Sequence, residues 1–128
     1  MGNKVNLREF KDARGSLIEN TSEEIFKQTK HFFISKSKSG VIRGNHYHKR
    51  KLEWFLVIKG KAKLVSENVK TKERTEMIVS ENDNVLIKNP PNHAHAIKNI
   101  GGDEMILLAL VNEVMDQKDP DTYPYKVL

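Results

Sequence analysis

The sequence contains no cysteine. Disulfide frameworks, thiolate nucleophiles and cysteine-ligated zinc sites are therefore excluded. Proline and glycine are sparse, at four and seven in 128 residues, and neither gathers into a linker or a low-complexity tract. Long hydrophobic runs are also missing. The longest clean one, Met105 to Val111, is far too short to span a bilayer. Met1 to Phe10 has no apolar stretch of the kind a secretory signal carries, and Asn6 stands where a myristoylation signal needs Ser or Thr. These absences predict a soluble cytoplasmic protein with no membrane partner. Neither sign of charge dominates: 22 Lys and Arg stand against 17 Asp and Glu, a net charge of +5. The basic residues are dispersed, and Lys49-Arg50-Lys51 is flanked by apolar and acidic residues, so no nucleic-acid partner is expected. The apolar share of 38% lies above a disordered composition, and the length suits one domain, residues 1–128.

What the chain does contain is a series of short strand patterns. His31 to Ser35, Glu53 to Lys59, Lys61 to Ser66, Thr75 to Val79, Val85 to Lys88 and Glu104 to Asn112 are the clearest. Turn chemistry separates or flanks them at Asp12-Ala13-Arg14-Gly15, Lys59-Gly60-Lys61, Glu81-Asn82-Asp83-Asn84, Asn89-Pro90-Pro91-Asn92 and Gly101-Gly102-Asp103. One helix is expected, over Thr21 to Lys30, with Thr21 as its cap and Glu23 and Glu24 in the first turn. Many short strands at this spacing predict an all-β sandwich or barrel with a jelly-roll-like double sheet. Ile106 to Val111 is apolar on both faces, which fits either a central strand or a strand covered by a second copy.

Four of the five histidines fall into two His-x-His pairs. Residues two apart on a strand share a face, so His46 and His48 point together. Glu53 opens the next strand on the face of Phe55 and Val57, which takes a carboxylate into an apolar interior. Left unpaired there it would be costly, and a metal ion or a charged histidine resolves the cost. His93, His95, Ile97 and Asn99 share a face if the second pair lies on a strand. Imidazoles combined with one carboxylate suit a divalent metal held by nitrogen and oxygen.

The spacing Gly40-x5-His46-x-His48-x4-Glu53-x6-Gly60 is far stricter than either histidine pair alone, and on it the sequence resembles the cupin superfamily. A second cupin pattern is met at Pro90, His95 and Asn99, with Asn84 and Asn92 in place of its two glycines. Asn tolerates a left-handed backbone better than other residues with a side chain, so both turns can survive. The resemblance implies a single cupin β-barrel, jelly-roll-like, with a metal bound by His46, His48, Glu53 and His95. His93 falls outside the pattern.

Arg43 to His48, Glu53 to Gly60, Asn112-Glu113-Val114 and Pro120-Asp121-Thr122-Tyr123 narrow the likeness. They resemble the C-terminal cupin domain of capsular-polysaccharide UDP-2-acetamido-2,6-dideoxy-hexos-4-ulose reductases. In that family the domain binds zinc and epimerises C3 of a 4-keto sugar nucleotide. The reductase domain has no counterpart here, so NADPH chemistry would fall to another protein. Phe10 to Gly15, followed by Arg43-Gly44-x-His46, is similar to dTDP-4-keto-6-deoxy-sugar 3,5-epimerases and 3,4-ketoisomerases. The former place a base at the position of His46; the latter have Gln where Glu53 stands.

These resemblances imply an isomerase, with C3 epimerisation preferred, acting on a nucleotide-linked 4-keto-6-deoxyhexose in surface-polysaccharide sugar biosynthesis. A 3,4-ketoisomerase, a non-catalytic sugar-binding module and an iron dioxygenase are the competing readings. With zinc on the four ligands, the base would be Lys51 or His93, and Tyr123 is a candidate proton donor. Arg14 and Arg43 match arginines that hold a diphosphate, for which a planar fork is suited. A homodimer is expected, since small cupin barrels commonly pair their sheets.

Overall fold

A computed structural model of the chain describes residues 3–128. It is nearly all β. In chain order the elements are β1 (Lys4–Asn6), β2 (Arg8–Asp12), β3 (Gly15–Glu19), α1 (Glu23–Gln28), β4 (His31–Ser37), β5 (Ile42–Tyr47) and β6 (Glu53–Lys59). They continue as β7 (Lys61–Asn68), β8 (Arg74–Ser80), β9 (Val85–Asn89), β10 (His93–Asn99), β11 (Met105–Val111) and β12 (Tyr123–Pro124). Two five-stranded antiparallel sheets carry the fold, in the orders β1-β9-β6-β11-β4 and β12-β5-β10-β7-β8. The β2–β3 hairpin stands apart as a two-stranded sheet, exposed along nearly its whole length.

The core lies between the two large sheets. Phe55, Val57, Leu107 and Ala109 of the first pack against Ala62, Leu64, Val79 and Ile97 of the second. Strand alternation selects these residues: on β11, Met105, Leu107, Ala109 and Val111 are buried, and the residues between them are half-buried. A second apolar cluster lies on the other side of the first sheet. There Ile25 packs with Leu52, Trp54 and Leu86. Ile25 is the buried residue of α1, and a helix anchored by one side chain needs little length. The helix is accordingly shorter than Thr21 to Lys30. Its N-cap is Ser22 rather than Thr21, and no side chain caps it. Asn20 Oδ1 instead accepts the Ser22 N–H, and at the far end Thr29 donates both its amide and its hydroxyl to Ile25 O.

Three backbone positions matter for the site. Asn84 and Asn92 have φ of 51° and 62°, so both replacements for glycine adopt the left-handed conformation the turns require. Gly44 has φ of 97° and lies where β5 crosses β10 at a register shift between His95 and Ala96. A Cβ added there would sit 2.6 Å from the carbonyl oxygen of His95 and 3.0 Å from the Ala96 Cα. Only glycine lets these two strands approach, and their approach pairs His46 with His95.

Gly44→Ala is expected to lower stability by about 2 kcal/mol or more, because the left-handed strain and the backbone clash add. Urea unfolding measures it; a midpoint equal to that of the unchanged protein would contradict the close approach.

Candidate metal centre and its cavity

His46 is the penultimate residue of β5, His48 follows the strand, Glu53 opens β6 and His95 lies on β10. Both sheets thus contribute to one cluster. One ligand atom from each residue lies within 4.8 Å of all the others. The rings of His46 stand 4.9 Å from those of His48 and His95, and the His48 and His95 rings are 5.4 Å apart. Glu53, His48 and His95 are buried, and His46 is half-buried.

The hydrogen bonds define the charge state. His48 Nδ1 lies 2.7 Å from the backbone oxygen of Asp121, which can only accept, so Nδ1 carries a proton. His48 Nε2 lies 3.1 Å from Glu53 Oε1, and a carboxylate also only accepts. Without a cation between them, that ring must therefore be doubly protonated. Burial opposes this charge, but the bond to Glu53, the charge of Glu53 and the Asp121 carbonyl outweigh it and raise the pKa of His48. Burial likewise opposes the Glu53 carboxylate, yet His48 and His95 hold it well below the usual range. His46 is different: burial and the neighbouring imidazoles push it down to about 4, so it is neutral at pH 7.

His95 Nε2 lies 3.2 Å from Glu53 Oε1, near enough for attraction but out of line for a hydrogen bond, and it is buried without a partner. A buried imidazole nitrogen left unpaired beside a carboxylate, a neutral imidazole and an imidazole fixed through its Nδ1 is a donor set for a divalent cation. The 3.1 and 3.2 Å separations are near the roughly 3.3 Å between ligand atoms of a tetrahedral shell with zinc bonds of about 2.0–2.1 Å. The four residues could hold a metal.

The cluster forms one wall of a cavity of about 640 Å³. Apolar residues of both sheets line the space, among them Phe33, Phe55, Ile97 and Val111. Lys51 and Arg43 also line it. Lys51 is buried, and its Nζ donates to Pro120 O at 2.8 Å. Arg43 reaches from β5 to β4, donating to Ser37 Oγ at 2.7 Å and to Lys36 O at 3.1 Å.

Three sequence-predicted residues do not line this cavity. Arg14 sits in the β2–β3 turn, where its guanidinium is paired with Asp12. His93 Nδ1 turns to Pro91 O at 3.0 Å. Tyr123 stacks on Tyr47 with ring centroids 5.3 Å apart, and Lys49 Nζ lies over the Tyr123 ring at 4.3 Å from its centroid. Tyr123 is paired with Tyr47, which alternates away from His46 and His48. Sequence reasoning also missed residues. His31 lines the cavity from β4, where alternation with Phe33 and Ser35 was the available signal. Met115 and Thr122 line it from the C-terminal segment, and Asp121 ties that segment to the His48 loop.

The metal-free protein is expected to lose stability as pH falls from the ordinary histidine value of 6.5 towards about 4. In that window the unfolded chain binds a proton at His46 that the folded chain refuses. His48 acts oppositely: its contribution is complete below 6.5 and disappears as pH rises through its raised value. Glu53 adds to the acid loss below its ordinary 4.5. Thermal melts should therefore peak near neutrality, and His46→Gln should flatten the acid limb above about pH 4.5. An unchanged acid limb in that variant would contradict the assignment.

Comparisons with known proteins agree with this architecture. The sequence pattern of the polysaccharide biosynthesis C-terminal domain family matches residues 10–123. A UDP-2-acetamido-2,6-beta-L-arabino-hexul-4-ose reductase of Pseudomonas aeruginosa is 35% identical over 116 residues, which is 91% of this chain and 30% of that protein. The chain therefore spans about a third of the relative's length. The crystal structure of the capsular polysaccharide assembling protein CapF from Staphylococcus aureus is 33% identical with a TM-score of 0.75, covering 94% of this chain and 34% of CapF. The dTDP-6-deoxy-D-glucose-3,5-epimerase RmlC of Legionella pneumophila shares the fold at 15% identity, with a TM-score of 0.83 over 98% of this chain and 72% of that one. With a match across most of its length and a cupin-like double sheet, the chain belongs to the polysaccharide biosynthesis C-terminal domain family.

Proposed function

We propose that this protein is a metal-binding cupin isomerase. It acts at C3 of a nucleotide-linked 4-keto-6-deoxyhexose, by epimerisation, in the biosynthesis of surface-polysaccharide sugars. The carrying observation is the buried His46, His48, Glu53 and His95 cluster in the wall of a cavity that Arg43 and Lys51 also line. The names of the reductase relative and of CapF support a nucleotide sugar of polysaccharide synthesis as substrate, and the epimerase neighbour supports this fold as a host for such chemistry.

The four residues of the cluster would hold zinc. Bound there, zinc would supply Lewis-acid chemistry towards the C4 carbonyl. The chain's own groups do the rest. Arg43, already oriented by Ser37 and Lys36, presents its guanidinium fork to the diphosphate. The C4 ketone acidifies the C3 proton, and a base must remove it. Of Lys51, His93 and Tyr123, Lys51 is the one that lines the cavity. Its Nζ is the group placed to take the C3 proton, and Pro120 O receives an N–H from it. A solvent-derived proton delivered to the opposite face inverts C3, and Lys51 returns the proton it took to solvent. The apolar walls exclude bulk water and strengthen the electrostatic contacts.

The proposed assembly is a cytoplasmic homodimer. Among the described residues no helix is long and apolar enough to cross a membrane. Phe32, Ile34 and Ile58 are 63%, 54% and 47% exposed on the outer face of the first sheet, beside half-buried Leu108 and Leu110. A second copy would cover that face.

Incubation with a UDP- or dTDP-linked 4-keto-6-deoxyhexose in deuterated water, with zinc restored, is expected to place deuterium at C3 and to invert that centre. Lys51→Met should abolish the exchange. Absence of exchange across several such sugars rejects the isomerase, whereas a carbonyl moved to C3 marks a ketoisomerase. Light scattering is expected to give a dimer that Phe32→Glu with Ile34→Glu dissociates; a monomeric wild type contradicts the assembly.

A further inference from the structure

Asp121 is buried at 2% exposure and has a left-handed backbone, φ 50°. Its carboxylate accepts three consecutive backbone amides. Lys49 N–H reaches Oδ1 at 3.0 Å, and the Arg50 and Lys51 N–H groups reach Oδ2 at 2.8 and 2.9 Å. Its own carbonyl accepts His48 Nδ1 at 2.7 Å. The preceding carbonyl, of Pro120, accepts Lys51 Nζ. One residue thus holds the chain from His48 through Lys51, between the second histidine and the carboxylate of the cluster.

We propose that Asp121 is a positioning residue: it fixes the loop carrying His48 and Lys51, and through His48 it sets how tightly the centre holds its ion. The inference rests on the metal centre proposed above. A histidine binds a cation through one ring nitrogen, and the bond made by the other nitrogen decides which one is free and where it points. Here the Asp121 carbonyl takes the Nδ1 proton, which leaves Nε2 to face Glu53. That carbonyl is aimed by a backbone conformation that the three amide bonds to the same residue's carboxylate hold in place. Asn at this position has one acceptor oxygen instead of two and turns an N–H₂ towards backbone donors. The loop then loses at least one of its three bonds, and the carbonyl loses its anchor.

The test compares the full-length wild type with Asp121→Asn. Zinc affinity is measured by competition with a chromophoric chelator, and long-range nitrogen–proton NMR reads the His48 ring without metal. The wild type is expected to show a proton fixed on His48 Nδ1 and slow hydrogen exchange at the amides of Lys49, Arg50 and Lys51. Asp121→Asn is expected to lose the fixed Nδ1 proton and to bind zinc about 10–100-fold more weakly at temperatures where it is fully folded. A role confined to stability would lower the melting temperature and leave both readouts unchanged, which overturns the proposal. If the variant does not fold, the wild-type measurements decide: amides 49–51 exchanging as fast as an open loop also overturn it. A wild type that takes up no zinc rejects the metal centre itself, a failure distinct from a variant that binds as tightly as the wild type.

Discussion

A carboxylate buried among apolar strands organises this protein. Glu53 is 6% exposed on a face it shares with Phe55 and Val57. Placed there alone it would neutralise or unfold the strand. His48 and His95 approach the same oxygen, Oε1, from different strands, and their proximity keeps the carboxylate ionised. The cost of burying Glu53 is thus offset through residues that lie far apart in sequence. Anything that shifts the two sheets loosens the compensation.

Much of the architecture serves that convergence. Gly44 lets β5 approach β10 closely enough to pair His46 with His95. Asn92, in its left-handed turn, leads into β10, and its N–H bonds to His48 O at 2.7 Å. The C-terminal segment closes the far side through Pro120 and Asp121. The result is asymmetric. His46 is held neutral, whereas His48 is held charged in the absence of metal. A cation entering the cluster would replace the His48 proton facing Glu53 and engage His95 Nε2, so uptake of the ion and loss of a proton are linked.

The sequence carried the parts of this that are local. Strand alternation put His46 beside His48 and Glu53 beside Phe55, and the spacing from Gly40 to Gly60 marked the cupin pattern. Asn84 and Asn92 were readable as left-handed turns because Asn tolerates that conformation. What could not be read are contacts made by distant residues. The bonds between Asp121 and the His48 loop join positions 70 to 73 residues apart, and nothing in the local pattern announces them. Arg14 and Tyr123 lie away from the cavity for a different reason. Each has a nearer partner, Asp12 and Tyr47, that a motif match does not weigh. The cap of α1 shifted from Thr21 to Ser22 because Ile25, and not the cap, fixes the helix.

X-ray absorption at the zinc edge, on protein loaded with one equivalent of zinc, addresses the central claim most directly. The account predicts a first shell of three imidazole nitrogens and one carboxylate oxygen at about 2.0–2.2 Å, with one imidazole missing from the shell in His95→Ala. A shell built from water alone, or one that is identical in His95→Ala, would contradict it.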